Sequence, residues 1–183
     1  MELPQHPNPW KTVSTREVYA NPWIRVREDQ VVKPTGGQGI YGVIEYQNHA
    51  IGVIPVDAEG FTWLVGQWRY CHERYEWEIP EGGCPAGESP EEAARRELLE
   101  ETGIVAEKVE PLLTGIQLSN STSNEICDVF IATGLSHTEA QPEDMELLEV
   151  LRLPLVEAVQ MARDGRIRDS VSVLALLAVA NRV

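Results

Sequence analysis

Glu97, Glu100 and Glu101 are spaced so that one helix would carry all three carboxylates on the same side. Residues 97 and 101 lie a turn apart, and at 100° per residue the three fall within an arc of about 100°. Like charges at this spacing work against a helix by about 0.2–0.5 kcal/mol per pair. A solvated face tolerates that cost, and the spacing alone points to solvent. The flanks point elsewhere. Leu98 and the Ala94 side form the apolar stripe, so the acidic arc borders the packed side instead of opposing it. Ala93 and Ala94, one turn below, are small enough to leave room above that face. Glu78 and Glu81 add acid just before the helix, and Gly82-Gly83 lets the backbone come close to whatever sits there. Clustered oxygens beside a packed face need a counter-charge. A hard divalent cation fits, Mg²⁺ first and Mn²⁺ second, because the face shows no nitrogen or sulfur ligand. The acids ride on a helix and not on a twelve-residue loop, which excludes an EF-hand.

The helix that must hold these carboxylates is well signalled. Ser89 with Glu92 three residues on forms a capping box, Pro90 occupies the first helical position, and Gly103 suits the left-handed stop after Thr102. Before it the chain reads as β structure: Trp23–Arg27, Gln30–Lys33, Tyr41–Tyr46, Ala50–Val56 and Phe61–Gln67, with turns at Pro34–Gly39 and Asp57–Gly60. After it, Gly115–Gln117, Cys127–Ala132 and Leu148–Leu153 read as strands. An acidic loop spans Glu139–Glu146. Two helices close the chain, near Leu155–Arg163 and Asp169–Asn181, split by Asp164-Gly165. A soft boundary near Asn48 separates an amino-terminal β segment, residues 1–47, from a main domain, residues 48–183.

Charge and composition narrow the classes. Twenty-nine acids against 15 bases give a formal charge of −14 over 183 residues, a field that repels nucleic-acid phosphates and anionic membranes. Neither nucleic acid nor membrane is therefore an expected partner. No stretch reaches the roughly 18 apolar residues of a membrane span. The amino terminus, with Pro4, Pro7 and Pro9, shows no secretory signal pattern, and Cys71, Cys84 and Cys127 form no CxxC pair. A cytoplasmic protein with reduced thiols is expected.

Gly82, Glu88, Arg96-Glu97-Leu98, Glu100-Glu101 and Gly103-Ile104 together resemble the Nudix box of the Nudix hydrolases. Leaving aside the apolar positions Leu98 and Ile104, the seven specified residues at typical usage of about 6% each would recur by chance in such a chain on the order of once in a million. The resemblance implies an α/β/α sandwich with a mixed sheet, here preceded by the small amino-terminal β segment. It also implies hydrolysis of a nucleoside diphosphate linked to another moiety. Carried over by position, Glu97, Glu100 and Glu101 match the metal-binding glutamates, assisted by the Glu81 carbonyl and Glu88. Arg96 matches the arginine that pairs with and orients them. Beyond the box, Asn21-Pro22-Trp23-Ile24, Gln67-Trp68-Arg69-Tyr70 and Trp77-Glu78-Ile79-Pro80-Glu81-Gly82-Gly83 resemble the ADP-ribose pyrophosphatase and nucleotide-sugar hydrolase group.

That resemblance implies a small nucleoside diphosphate sugar as substrate and a homodimer whose amino-terminal strands help build the partner's site. Substrate contacts are expected from Arg69, Trp68, Glu78, Gly83 and Glu125. Arg69 reads equally as a phosphate partner or as a strand-end salt bridge, and Trp68, like Trp23, Tyr75 and Trp77, as a stacking or a packing residue. A late acid, Glu146 or else Asp144, is expected to orient or deprotonate the attacking water. The loop Ser119–Glu125 departs from the group's pattern, with Asn120 where a proline is expected, which leaves a nucleotide sugar other than ADP-ribose open. The alternatives are a Nudix hydrolase of dinucleoside polyphosphates or NADH, and a non-catalytic nucleotide-binding Nudix module.

Overall fold

Successive side chains of a strand point to opposite faces, and the central strands of this protein bury both. The computed structural model describes residues 3–138, 140 and 147–181. In chain order it contains β1 (Lys11–Ala20), β2 (Ile24–Val32), β3 (Gln38–Tyr46), β4 (His49–Pro55), β5 (Phe61–Arg69), β6 (Arg74–Glu78), β7 (Glu81–Cys84) and helix α1 (Pro90–Thr102). Then follow β8 (Ile104–Gln117), β9 (Ile126–His137), β10 (Glu149–Pro154), α2 (Leu155–Arg163) and α3 (Ser170–Val179). The chain divides into two units, one built from residues up to Gln47 together with Ser119–Glu125, the other from Asn48–Leu118 and the chain from Ile126 onward.

In the first unit β1, β2 and β3 form an antiparallel sheet in that order. The turn between β2 and β3 places Gly36 and Gly37 at φ of 86° and 77°, the positive angles its sequence suggests. Strand β2 is continuous where the sequence suggests two pieces, because pairing on both sides carries it through Glu28 and Asp29. The segment 119–125 is tied to β3: Ile44 N–H donates to Thr122 O at 2.8 Å, Tyr41 Oη–H to Ser121 O at 2.6 Å, and Tyr46 N–H to Asn124 Oδ1 at 2.7 Å.

The second unit holds a mixed sheet in the order β7-β4-β9-β8, with β4 and β9 parallel, and an antiparallel sheet β10-β5-β6. Strand β4 sends Ile51 and Val53 into a cluster with Ala93, Ala94 and Leu98 of α1. From the same strand Ile54 joins a second cluster with Leu155 and Val159 of α2 and Ala175 and Leu176 of α3. Strand β9 divides in the same way, Phe130 and Ala132 toward α1, Cys127 and Val129 toward α2 and α3. The helices therefore cover opposite faces, giving the α/β/α sandwich with a mixed sheet. Ala93 and Ala94 are fully buried. Their small size brings α1 close to the sheet and does not open room above it.

One polar link ties this core to the acidic segment. Ser172, buried near the start of α3, accepts the Ile79 N–H on Oγ at 2.9 Å, and its own N–H donates to Asp169 Oδ2 at 2.7 Å. Ile79 stands two residues before Glu81, so the helix start fixes the backbone that enters β7. Replacing Ser172 with Ala leaves a buried N–H without its acceptor, and the expected loss is about 1–3 kcal/mol by urea unfolding. An unchanged midpoint would show that another group satisfies Ile79.

Candidate active site

Helix α1 begins and ends as its sequence signals require. Ser89 and Glu92 form the reciprocal capping box, and Gly103 takes φ of 69° while its N–H donates to Leu99 O. The frame so fixed turns Glu101 inward: it is 3% exposed, and its Oε2 accepts the Glu81 N–H at 3.0 Å. Glu97 lies over Gly82, where a Cβ would fall 2.2 Å from the Glu97 carboxylate. Only glycine leaves that carboxylate where it is.

Arg96 organises the arc. Its Nε and Nη2 donate to the two oxygens of Glu88 at 3.0 and 2.8 Å, and Nη1 donates to Glu97 at 2.7 Å and to Glu100 at 3.0 Å. Nη2 also reaches the Gly83 carbonyl at 2.7 Å, joining helix to β7. Glu88 first, then Glu97 and Glu100, hold the guanidinium's pKa well above its ordinary value. The structure thus pairs Arg96 with the glutamates as expected from the sequence, and Glu88 serves here as its bidentate partner.

A second arginine stands on the other side of Glu81. Arg69 Nε donates to both oxygens of the buried Glu78 at 2.9 Å, its Nη2 pairs with Glu78 as well, and Nη2 reaches Glu81 Oε1 at 2.8 Å. Burial works against the Arg69 charge, yet Glu78 and Glu81 hold its pKa above the ordinary value. Of the two sequence readings of Arg69, the geometry shows the strand-end ion pair, and the residue also lines a cleft.

That cleft, about 590 Å³, runs from Glu78, Glu81 and Asp169 past Arg69 to Trp68, Tyr70, Cys71 and His72, with Arg74, Glu76 and Arg168 along its wall. Trp68 is 61% exposed beside it. Arg74, Arg168 and Asp169 escape sequence reasoning. Asp169 reads there only as the start of a helix, which in the structure it caps, and nothing local in the sequence brings residues 168–169 to the end of β5. Glu125 lies in the other unit, where its N–H donates to Ser123 Oγ at 3.4 Å. Trp23 is likewise in that unit and exposed, whereas Trp77 packs partly buried against the core. Asp144 and Glu146 lie outside the described residues.

Around Arg69 and Arg96 the described residues place Glu78, Glu81, Glu88, Glu97, Glu100 and Glu101, six carboxylates against two guanidiniums. Glu81 Oε2 is buried with no hydrogen-bond partner among them. Burial first, then the charges of Asp169 and Glu78, push the Glu81 carboxyl well above the usual range, with Arg69 opposing. No three described His, Cys, Asp or Glu side chains already stand as a metal cage. The donor set still suits a hard divalent cation: it is all oxygen, short of positive charge, and includes an unpaired buried carboxylate oxygen.

Known proteins match the chain along most of its length. Residues 47–175 match the NUDIX domain, and residues 10–44 match the nucleoside diphosphate sugar hydrolase N-terminal domain. A methanol dehydrogenase activator of Bacillus methanolicus is 32% identical over 168 residues, 91% of this chain and 90% of that protein. An ADP-ribose pyrophosphatase of Mycobacterium tuberculosis is 31% identical over 174 residues, 93% of this chain and 83% of that one. A crystal structure of an ADP compounds hydrolase superposes with a TM-score of 0.85 over 97% of this chain and 96% of its own, at 21% identity, a likeness of fold.

The strained charge of Glu81 gives a pH signature. A group whose folded-state pKa lies above its unfolded value adds stability below the unfolded value and loses it as pH rises through the folded one. Glu81→Gln carries no such charge. In chelator, its unfolding free energy should therefore gain on the unmodified protein as pH climbs above about 4.3, the ordinary glutamate value. Urea titrations at stepped pH would read the gain, and a difference that stays flat up to alkaline pH would refute it.

Proposed function

The chain belongs to the NUDIX family, and from that premise we propose that it is a pyrophosphohydrolase of nucleoside diphosphate sugars, ADP-ribose first among them. The products are a nucleoside monophosphate and a sugar phosphate. The observation that carries this reading is the carboxylate excess on α1 and β7, which a non-catalytic module has no use for. The match of residues 10–44 to the N-terminal domain of nucleoside diphosphate sugar hydrolases supports the substrate class.

In this reading Glu97, Glu100, Glu101 and the Glu81 carbonyl hold the divalent cation, Mg²⁺ or else Mn²⁺. Bound there, the metal neutralises diphosphate oxygens and lowers the pKa of a water. Arg96 keeps Glu97 and Glu100 aimed when the cation is absent, so their mutual repulsion does not scatter them. Gly82 gives Glu97 its place by having no side chain. Arg69, braced by Glu78 and Glu81, keeps part of its guanidinium toward the cleft for a substrate phosphate. Glu146, or else Asp144, takes the proton of the attacking water.

A homodimer belongs to the same proposal. Every residue of β1 is exposed, and Val13, Val18 and Tyr19 among them are apolar, a strand that a second copy would cover. Sedimentation equilibrium is expected to give twice the chain mass, and a monomer would end this part of the reading. No helix among the described residues is long and apolar enough to cross a membrane, and the three free cysteines suit a reducing cytoplasm.

Phosphate release after phosphatase coupling, measured for ADP-ribose, GDP-mannose, ADP-glucose, NADH and diadenosine polyphosphates with Mg²⁺, tests the activity. Turnover of ADP-ribose is expected, with Glu101→Gln slower by at least about 100-fold, since a metal's charge stabilisation is worth several kcal/mol. Preference for another sugar nucleotide would keep the mechanism and shift the specificity. Silence across the panel would overturn the reading.

A further inference from the structure

The outer wall of the cleft carries charge that the acidic cluster does not explain. Arg74 and Arg168 converge on a single oxygen, Glu76 Oε1, Arg74 through Nε and Arg168 through Nη1 at 3.9 Å. Glu76 is buried, whereas Arg168 is 55% exposed. One carboxylate cannot neutralise two guanidiniums, so this corner is positive in a chain of net charge −14. The Arg168 stem is fixed, because Nε donates to the Gly165 carbonyl at 3.0 Å. Among the described residues, its two terminal nitrogens donate no hydrogen bond.

The inner end of the same cavity has the opposite sign. There Arg69 is the guanidinium that, among the described residues, pairs with Glu78 and Glu81, and the Asp169 charge adds to theirs. A substrate whose only anionic part is a diphosphate engages the inner end through a cation and leaves the outer corner unused. An ordinary surface ion pair would match one arginine to one acid, and here a buried acid instead stands against two arginines whose terminal nitrogens donate no hydrogen bond among the described residues. Trp68 and Tyr70, the latter 89% exposed, flank the same opening and offer apolar faces to a bound sugar or base. The geometry points to a second anion subsite, formed by Arg74 and Arg168 on Glu76, for a phosphate monoester that the substrate carries in addition to its diphosphate. This rests on the pyrophosphohydrolase reading above and deepens its substrate class.

The monoester can sit on either sugar of the substrate, so the test uses both arms. kcat/KM is measured for ADP-ribose, ADP-ribose 2′-phosphate and ADP-ribose 1″-phosphate in the unmodified protein, Arg168→Gln, Arg168→Lys and Arg74→Gln. One of the two monoesters is expected to be preferred over ADP-ribose by about tenfold or more, the worth of one charge-assisted hydrogen bond. That preference should fall by about tenfold in Arg168→Gln and return in part in Arg168→Lys. Because it is a ratio within one protein, loss of folded material does not mimic it. The same ratio is read as Kd by calorimetry on the Glu101→Gln protein, so absent hydrolysis and an absent subsite are told apart. Neither monoester preferred in either measurement, or a preference untouched in both Gln variants, would overturn the subsite.

Discussion

The Arg96 guanidinium holds three glutamates and a backbone carbonyl at once, and the acidic face of α1 depends on it. Glu97 and Glu100 stand one turn or less apart beside a packed helix face, where repulsion between them is poorly screened. Arg96 spends its donors on both, on Glu88 in the loop before the helix, and on Gly83 O in the strand before that loop. Strand, loop and helix are therefore joined through one planar ion. A lysine presents a single rotatable ammonium and cannot serve four acceptors in that fork. The cluster keeps its shape only because a planar cation of this size sits at its centre.

From this constraint the charge of the cleft follows in layers. Arg96 satisfies the carboxylates on the helix side and Arg69 those on the strand side, and Glu81 lies between them with one oxygen still unpaired. The deficit is local and concentrated, unlike the diffuse −14 of the whole chain. A diphosphate entering such a place without a cation would meet net repulsion. The outer corner around Glu76 reverses the sign within the same cavity, so that opposite ends favour different parts of one ligand.

The helix and its carboxylates were legible in the sequence because their signals are local: a capping box, a proline at the first position, a glycine stop and three acids at helical spacing. The sandwich followed from the Nudix box and from strands such as β4, whose apolar runs are unmistakable. Other elements were not legible, for physical reasons. Every residue of β1 is exposed, so no alternation of buried and exposed positions marks it. In β8 the buried residues are Ile104, Ala106, Val109 and Leu112, and register shifts around Leu113 break the period of two, so only its last residues read as a strand. Strand β7 contains Gly82 and Gly83, poor strand formers, where a Cβ would strike the Glu97 carboxylate at 82 and crowd Asn48 at 83. The outer cleft wall joins residues about a hundred positions apart, a placement that only the tertiary fold makes.

The segment 119–125 belongs by its hydrogen bonds to the amino-terminal sheet, although it is inserted between β8 and β9 of the other unit. The first unit is thus discontinuous along the gene. A recombination joint placed at residue 47 would transplant the three strands and leave behind the piece that Tyr41, Ile44 and Tyr46 hold. The two stretches are expected to be inherited together, and a lineage that exchanges one must re-evolve the other. Substitutions in β3 and in 119–125 should therefore covary across descendants more than either does with the helices.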